Sequence, residues 1–357
     1  MSQNDGSDGW SPPAGNLHEG LVDRASSDCS TSALPAATPG AAGQQARVSY
    51  GHGAAVVATE ADLLAVALPY LDAGLRAGDL VVLSCPPETV ELIRGRLGED
   101  AARVESEPRA SLLGSRPPDA LEIARRFRER AQASGSGRLR VLAGIDFGDD
   151  PADWREGQRY ESVTNRLLGD AVVAMCLYDR RRVPATVVES VAATHPYLVQ
   201  GTDWRTNPAF QDPRVYVPSL PLPRAAVEDG DPLFAVEDAP TLAGLRHKLG
   251  AVLATLVHDR EHHEDLHLGA SEIAANAFRH GVRPVSARVW ADGDRVICVI
   301  SDRGTSYTDP FSGFTPAHGL DLSQGGMGLW LARKLWDHVD VLPADGGLSV
   351  RLSARLR

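Results

Sequence analysis

The sequence predicts two folded domains of different class, an α/β domain with a parallel sheet followed by an α+β domain. Between about residues 48 and 222, short apolar runs alternate with amphipathic helical patterns, which is typical of a parallel sheet covered by helices. After residue 239, two helical patterns come first and strands follow in pairs, so we expect helices on one face of a mixed or antiparallel sheet. A length of 357 residues agrees with two domains.

The α/β pattern begins with a short apolar run and a helix start. Thr59 and Asp62 have the spacing of a capping box, and leucines from Leu63 to Leu71 fall on one helical face. The predicted strands are 54–58, 80–83, 139–145 and 171–177, and the predicted helices are 63–71, 89–97, 121–130, 161–168 and one after Pro184.

The α+β pattern begins with leucines spaced three or four apart after Thr241, which predict a helix. A second predicted helix contains Ile273 and Phe278. The remaining predictions are strands at 286–290, 295–300, 339–342 and 348–352, with a helix at 327–336 before the last two strands.

Composition predicts where the domains begin and end. Residues 1–45 are rich in Ser, Gly, Pro, Ala and Asp without periodicity, so we expect a disordered tail. A proline-rich stretch and an acidic one predict an interdomain linker at 223–238. The α/β domain would therefore occupy 46–222 and the α+β domain 239–357.

Charge and cysteine use argue against several protein classes. A net charge of −11 is unfavourable for nucleic-acid binding. No apolar run approaches the ~20 residues that span a bilayer, and no secretory signal is visible, so we expect a cytoplasmic protein without a membrane partner. The scattered cysteines, with no CxxC pair, predict reduced thiols and neither a disulfide framework nor a zinc site.

The first chemical motif lies in the second predicted helix of the α+β domain. Glu272 and Asn276 are four residues apart and therefore share one helix face. An Asn beside a nucleotide can bind Mg²⁺ through its carbonyl oxygen. A Glu one turn earlier can take a proton from an incoming hydroxyl or water.

Two further motifs follow in the chain. Asp302 ends a predicted strand and can accept a hydrogen bond from an adenine amino group, while Gly304 lets the backbone approach the base. Gly325, Gly326 and Gly328 precede a predicted helix, where exposed amides and the helix dipole favour phosphate. Each motif alone is usually a solvated helix face, a turn or a loop. Taken together, a motif on a helix, one at a strand end and one at a helix start, in this order along the chain, predict a nucleotide site.

In this order the motifs resemble the N, G1 and G2 boxes of the GHKL ATPase superfamily, and most closely its bacterial anti-sigma serine/threonine kinase branch. The stretches EIAANAFRHG, DRGTSYTDP and GGMGLWLARKLWDHVDV are similar to that branch, and Arg246 occupies a position typical of it. Ser306 stands where many superfamily members have a second Gly, a departure common in this branch. The resemblance implies an ATP-binding sandwich of the GHKL (Bergerat) type.

The resemblance also implies a role for each motif residue. Arg279 and His280 either contact phosphates or face solvent, and the sequence leaves both readings open. A glycine-rich lid at about 311–325 would close over the phosphates. The implied roles are adenine binding by Asp302 and Gly304, Mg²⁺ binding by Asn276, phosphate binding by Gly325, Gly326 and Gly328, and general-base catalysis by Glu272.

The implied function is a signal-responsive anti-sigma factor. It would bind Mg-ATP and phosphorylate a Ser or Thr of a STAS-type anti-anti-sigma partner, thereby controlling a sigma factor, and family members often form homodimers. A non-catalytic nucleotide switch is one alternative. A sensor histidine kinase is another, disfavoured because His247, the only candidate phosphoacceptor, lacks the following acidic residue and Pro. We expect His247 on the surface.

The α/β domain resembles the MEDS sensory domain, a relative of the RecA-like ATPases, over roughly residues 48–215. The resemblance depends on His52 and on the stretches ADLLAVALPYLDAGLRAGD, YDRRRVPATVVESVAATHP and GTDWRTNPAFQDP. No GxxxxGK[ST] follows a predicted strand, so we expect no P-loop ATP site. The implied role is to sense an unidentified ligand or partner. Structural hydrogen bonding or core packing is the favoured role for each candidate ligand residue, and the candidates are His52, Tyr178, Asp179, His195 and Trp204.

One pair of histidines has the spacing of metal ligands. His263 and His267 are four residues apart, as in helical zinc sites. Their surroundings are densely charged, so we expect a solvated turn instead.

Overall fold

The start of the first domain shows how its sequence sets its structure. In the computed structural model, β1 (Gly51–Val57) is largely buried and α1 (Glu60–Ala77) follows it directly. The Thr59 hydroxyl accepts a hydrogen bond from the Asp62 amide at 3.1 Å, and the Asp62 carboxylate accepts one from the Thr59 amide at 3.0 Å. This reciprocal pair confirms the predicted capping box.

The structure describes residues 51–169, 171–305, 309–317, 327–344 and 346–356. The predicted disordered tail, Gly325, Gly326 and residues 318–325 of the predicted lid lie outside the described residues.

A mixed sheet forms the centre of the first domain. Its strands within the described residues are β1, β2 (Leu80–Ser84), β3 (Glu105–Ser106), β4 (Leu139–Gly144), β5 (Val172–Asp179), β6 (Tyr197–Gln200) and β7 (Asp203–Thr206). The order is β3-β2-β4-β5-β1-β6-β7. Neighbours from β3 to β6 run parallel, whereas β7 runs antiparallel to β6.

The antiparallel edge strand corrects the predicted fully parallel sheet. Only Gly201 and Thr202 connect β6 to β7, and so tight a connection joins antiparallel strands, because a parallel pair needs a long crossover. Gly201 has a φ of 58°, a left-handed conformation that glycine adopts without steric cost.

Helices cover both faces of this sheet. Alternate residues of β5 belong to two separate cores: Met175 packs in the core that includes α1, and Cys176 packs in the core on the opposite face. The helices after α1 are α2 (Pro87–Leu97), α3 (Pro117–Ala131), α4 (Pro151–Leu167), α5 (Ala185–Thr194) and α6 (Pro213–Ser219).

The second domain is an α+β fold with an antiparallel sheet. Its elements are β8 (Phe234–Val236), α7 (Leu242–Leu256), α8 (Arg260–His280), β9 (Ser286–Asp292), β10 (Arg295–Asp302), α9 (Gly328–Leu335), β11 (His338–Ala344) and β12 (Gly347–Arg355). Within the described chain the strand order is β11-β12-β10-β9-β8, with every neighbouring pair antiparallel.

The apolar face of this sheet packs against α7, α8 and α9. Leu249 of α7, Ile273 of α8 and Trp336 after α9 share one buried core with Cys298 and Leu352 of the strands. The predicted placement of these helices on one side of the sheet is thereby confirmed.

The segment predicted as a linker is partly structured. It contains a 3-10 turn at Ala226–Asp229 and strand β8, which pairs with β9. Glu228 is buried and accepts a hydrogen bond from Arg351 at 3.1 Å. The exact limits of the two domains stay a prediction.

The polar face of the second sheet contacts α4 of the first domain. Asp340 and Arg351 alternate with core residues of β11 and β12 and are buried on this face. Arg159 of α4 donates to Asp340 at 2.6 Å, and Asp153 accepts from His338 at 2.7 Å. Residues 51–356 accordingly lie in one compact unit.

None of the described helices is both long enough and apolar enough to cross a bilayer.

Candidate functional site

Helix α8 positions the first predicted motif. It starts after Asp259, whose carboxylate accepts from the His262 amide at 2.7 Å, an N-cap that fixes the first turn. Ile273 and Ala277 are buried in the core, whereas Glu272 and Asn276 are half-buried. Glu272 and Asn276 therefore lie along the margin of α8 between core and solvent, as their spacing predicts.

Gly328, the first residue of α9, lies directly against Asn276. A Cβ at Gly328 would be 2.7 Å from Nδ2 and 3.1 Å from Oδ1 of Asn276, closer than a side chain tolerates. Glycine is required for this approach. The amides that open α9 therefore lie beside the Asn276 side chain, where helix N-termini attract anions.

Asp302 ends β10 and contacts the far end of α8. Its Oδ1 accepts hydrogen bonds from the amides of Gly304 at 2.6 Å and Val282 at 3.2 Å. A Cβ on Gly281 would overlap the Asp302 carboxylate carbon. Among the described residues, Oδ2 of Asp302 has no hydrogen-bond donor, so this oxygen can accept from a ligand.

The three predicted motifs meet along α8. Gly328 contacts the last part of the helix at Asn276, Asp302 contacts its end at Gly281, and Glu272 lies one turn before Asn276. His280 is exposed at the helix end, which leaves its role a prediction. Gly325 and Gly326 lie outside the described residues.

Arg246 of α7 lies beside Glu272. Its Nη2 is 3.5 Å from Oε1 of Glu272 and donates to the Ser271 carbonyl at 3.4 Å. Such a half-exposed ion pair contributes about 0–1 kcal/mol to stability. Its main effect is to limit the positions that the Glu272 carboxylate can take.

His263 and His267 are structural residues of α8, which corrects the predicted solvated turn. Nε2 of His263 is 3.1 Å from the Gly250 carbonyl, and Nε2 of His267 is 2.9 Å from the Arg246 carbonyl. Because a carbonyl only accepts, each Nε2 carries the hydrogen and is not free to bind a metal. His247, by contrast, is exposed as predicted.

Three of the five candidate ligand residues of the first domain come together. The His52 and His195 rings are 4.3 Å apart, and Tyr178 meets His195 edge-on at 5.6 Å. Asp179 instead accepts from Arg181 at 2.6 Å. Trp204 packs over Gly53, where a Cβ would lie 2.6 Å from its ring.

Two residues that sequence reasoning missed complete this cluster. Oε2 of Glu161 is 3.2 Å from Nε2 of both His52 and His195. Sγ of Cys176 is 3.3 Å from Nε2 of His52 and 3.4 Å from Oε2 of Glu161. Glu161 lies in a predicted helix and Cys176 in a predicted strand, with no local spacing to connect them.

The amides of the turn after β1 are bonded within the protein. Both the Ala58 and Thr59 amides donate to the Asp62 carboxylate, at 3.2 and 3.0 Å. An acidic side chain thus occupies the two amides that precede α1. That this domain has no P-loop ATP site stays a prediction.

Two protein families match the sequence. Residues 51–196 match MEDS, the "MEthanogen/methylotroph, DcmR Sensory domain". Residues 234–354 match the "Histidine kinase-like ATPase domain".

Individual proteins match the second domain. Serine-protein kinase RsbW of Bacillus pumilus (strain SAFR-032) is 30% identical over 126 residues, covering 32% of this chain and 73% of that protein. Serine-protein kinase RsbW of Bacillus subtilis (strain 168) is 32% identical over 113 residues, covering 29% of this chain and 71% of that protein.

A solved structure also aligns with part of the chain. It contains the RsbU and RsbW domains of Rv1364c from Mycobacterium tuberculosis, with 20% identity and a TM-score of 0.25, covering 34% of this chain and 31% of that one. This structural likeness is too low to support an inference.

Proposed function

Because the chain belongs, through its second domain, to the family of the serine-protein kinase RsbW, we propose that it is a signal-responsive anti-sigma kinase. It would bind Mg-ATP and phosphorylate a Ser or Thr of a STAS-type anti-anti-sigma protein, thereby controlling a sigma factor. The observation that carries the proposal is the convergence of Glu272, Asn276, Gly328 and Asp302 along α8.

The nucleotide end of the site suits an adenine ring. Oδ1 of Asp302 is occupied by the Gly304 and Val282 amides, so its orientation is fixed. Oδ2 is left to accept from an amino group, and the bare Gly304 backbone gives the base room to approach.

The phosphate end of the site suits a magnesium-bound anion. The Asn276 side chain offers a carbonyl oxygen, a donor that Mg²⁺ accepts. It lies within contact distance of Gly328 at the start of α9, where backbone amides favour negative charge. Gly325 and Gly326 belong to the proposed phosphate loop on sequence alone.

Glu272 is the proposed general base. It lies one helical turn from Asn276 on the same face of α8, and Arg246 holds it from the side. Bound ATP would supply the phosphoryl group. The protein's own contribution is to position the partner's hydroxyl and remove its proton.

The contacts between the domains support the signal-responsive part of the proposal. Arg116, before α3, donates to the Lys334 carbonyl at 2.8 Å and to Asp337 at 2.7 Å. Arg333 donates to Glu156 of α4 at 3.2 Å. Helix α9 begins at Gly328, in the proposed nucleotide site, and its last turn makes these contacts. A displacement of α3 or α4 would therefore move α9 and change the nucleotide site.

Phosphate transfer tests the kinase assignment. The full chain is incubated with Mg-ATP and a STAS-type protein from the same genome, and phosphoserine or phosphothreonine is measured by mass spectrometry. We expect Glu272→Gln to bind ATP normally and to lose transfer by about 10²–10⁴-fold, because only proton removal is impaired. Glu264→Gln, an exposed carboxylate on the same helix, is the matched control.

The outcomes separate the candidate functions. Transfer at the natural rate by Glu272→Gln would refute the role of Glu272. A natural chain that binds ATP but transfers nothing would favour the non-catalytic switch.

A further inference from the structure

The first domain contains a buried cluster of four metal-ligating side chains. His52 comes from β1, Glu161 from α4, Cys176 from β5, and His195 follows α5. One ligand atom from each lies within 4.8 Å of every other. All four residues are at most 4% exposed, so water does not account for their arrangement.

Four of the six distances within the cluster match a tetrahedral ion, and the other two pairs of ligand atoms lie within 4.8 Å. A metal at about 2.0–2.2 Å from N or O and about 2.3 Å from S places its ligand atoms roughly 3.3–3.6 Å apart. The two His–Glu separations are 3.2 Å, the His52–Cys176 separation is 3.3 Å, and the Cys176–Glu161 separation is 3.4 Å.

An outer hydrogen bond directs the lone pair of His52 into the cluster. Nδ2 of Asn165 donates to the carbonyls of Glu161, Ser162 and Thr194 at 2.8–3.0 Å, which fixes the orientation of the amide. Its Oδ1 must therefore accept from Nδ1 of His52, 3.0 Å away. Nε2 of neutral His52 is then unprotonated and faces Glu161 and Cys176.

His195 is oriented in the same way. The Thr194 hydroxyl donates to the Ser190 carbonyl at 3.0 Å, so it accepts from Nδ1 of His195 at 2.9 Å. Within the part of the chain that the structure describes, Nε2 of His195 has no hydrogen-bond partner, although Oε2 of Glu161 lies 3.2 Å away. Outer hydrogen bonds that fix the ring tautomer are typical of metal-binding histidines.

Without a cation this arrangement is costly. Two nitrogen lone pairs face one oxygen of a buried carboxylate, and buried charges need a partner. A divalent cation at the centre of the cluster would pair with this carboxylate and with both lone pairs.

A catalytic cysteine is the competing explanation for Cys176 beside His52. Reactive cysteines are partly accessible and have a lowered pKa. Cys176 is only 3% exposed, so a substrate has no access to its thiol. This environment suits a metal ligand that loses its proton to solvent only when the ion binds.

We propose that His52, Glu161, Cys176 and His195 bind one divalent transition-metal ion of the zinc type. Their mixture of imidazole, thiolate and carboxylate suits this class of ion. A small cavity of about 30 Å³ adjoins three of the ligands and is otherwise lined mainly by apolar side chains, which leaves room for a water-sized ligand. No ligand belongs to the second domain, so the site is independent of the proposed kinase function.

Cobalt binding to the full chain tests the site. After chelator treatment, the protein is titrated with Co²⁺ and followed by absorption spectroscopy. We expect one Co²⁺ per chain, with tetrahedral d–d bands and a thiolate-to-cobalt charge-transfer band, and zinc should displace it. Cys176→Ser should remove the charge-transfer band and weaken binding at least 10-fold. Cys85→Ser is the matched control, because Cys85 is buried in the same sheet but donates to the Leu142 carbonyl.

The proposal fails if the natural chain shows no saturable tetrahedral cobalt spectrum, or if Cys176→Ser keeps the charge-transfer band. X-ray absorption on the zinc-loaded natural chain needs no variant, so a folding defect cannot obscure the answer. We expect one sulfur at about 2.3 Å and three N or O atoms at about 2.0–2.2 Å. A first shell without sulfur would overturn the assignment.

Discussion

Individual glycines set the geometry of the candidate nucleotide site. Gly328 and Gly281 each lie where a Cβ would collide with a site residue, Asn276 in one case and Asp302 in the other. Besides its proposed role in phosphate binding, Gly328 therefore lets α9 approach α8 closely.

Replacing Gly328 tests this contact. In Gly328→Ala the new Cβ, 2.7 Å from Nδ2 of Asn276, must displace the Asn276 side chain. We expect ATP affinity to fall about 10-fold or more, equivalent to ~1.4 kcal/mol. The melting temperature should change little, because Ala favours helix. Calorimetry and thermal unfolding give the two quantities.

Gly293→Ala is the control, since its Cβ would meet nothing within 4 Å. Equal ATP affinity in the two variants would show that the Asn276–Gly328 contact does not shape the site.

The candidate nucleotide site and the proposed metal site differ in how far the sequence could predict them. Glu272 and Asn276 share one helix, so spacing alone places them on one face. Glu161 and Cys176 come from different elements, and parallel pairing of β1 with β5 brings Cys176 beside His52. Long-range register of this kind leaves no local spacing, which is why the scattered cysteines predicted no metal site.

Among the elements, α4 connects the most features. Its residues Glu156 and Arg159 contact the second domain, while Glu161 belongs to the buried cluster and Asn165 is hydrogen-bonded to His52 of that cluster. A single helix thus joins the proposed metal site to the interdomain contact.

We expect Arg159→Ala to destabilise the protein strongly. Arg159 is buried and donates to Glu156 at 2.8 Å and to Asp340 at 2.6 Å. Removing one partner of a buried pair costs about 3–5 kcal/mol. Arg126→Ala, which removes an exposed arginine of α3, should cost about 0–1 kcal/mol. Urea unfolding compares them, and equal losses would mean that the buried network contributes no more than a surface pair.

Short edge strands were the elements that sequence could not predict. β3 and β8 contain two and three residues, too few for a periodic pattern to appear. β7 follows β6 after a two-residue turn, and the nearby Asn207-Pro208 pair indicates irregular structure instead. The central strands and parts of the long helices were predicted because each carries an apolar pattern, whereas the charged first half of α8 was predicted as a turn.

At the scale of the whole molecule, the second sheet is covered on both faces. Its own helices cover the apolar face, and α4 of the first domain covers the face that carries Asp340 and Arg351. The matched RsbW proteins align with only about a third of this chain. If the proposed function holds, the MEDS-family domain packed on this face gives the second domain an input through α4.

The domain classes were predictable, whereas the contact between them was not. Arginines and aspartates such as Arg159 and Asp340 resemble a solvated face in sequence. Only the three-dimensional structure shows that these side chains are buried and paired. The charges of Arg159, Arg155 and Arg351 outweigh the effect of burial and hold the pKa of Asp340 well below its usual range.

ATP affinity is the most direct measurement of the central claim that the motifs along α8 form a nucleotide site. Calorimetry would be run with and without Mg²⁺ on the natural chain, Asp302→Asn and the exposed control Asp292→Asn. Since Gly304 and Val282 require an acceptor at Oδ1, the new amide NH₂ would face the adenine amino group. We expect Mg²⁺-dependent binding by the natural chain and the control, and at least 10-fold weaker binding by Asp302→Asn. No binding by the natural chain would contradict a nucleotide site along α8, and full binding by Asp302→Asn would contradict adenine recognition by Asp302.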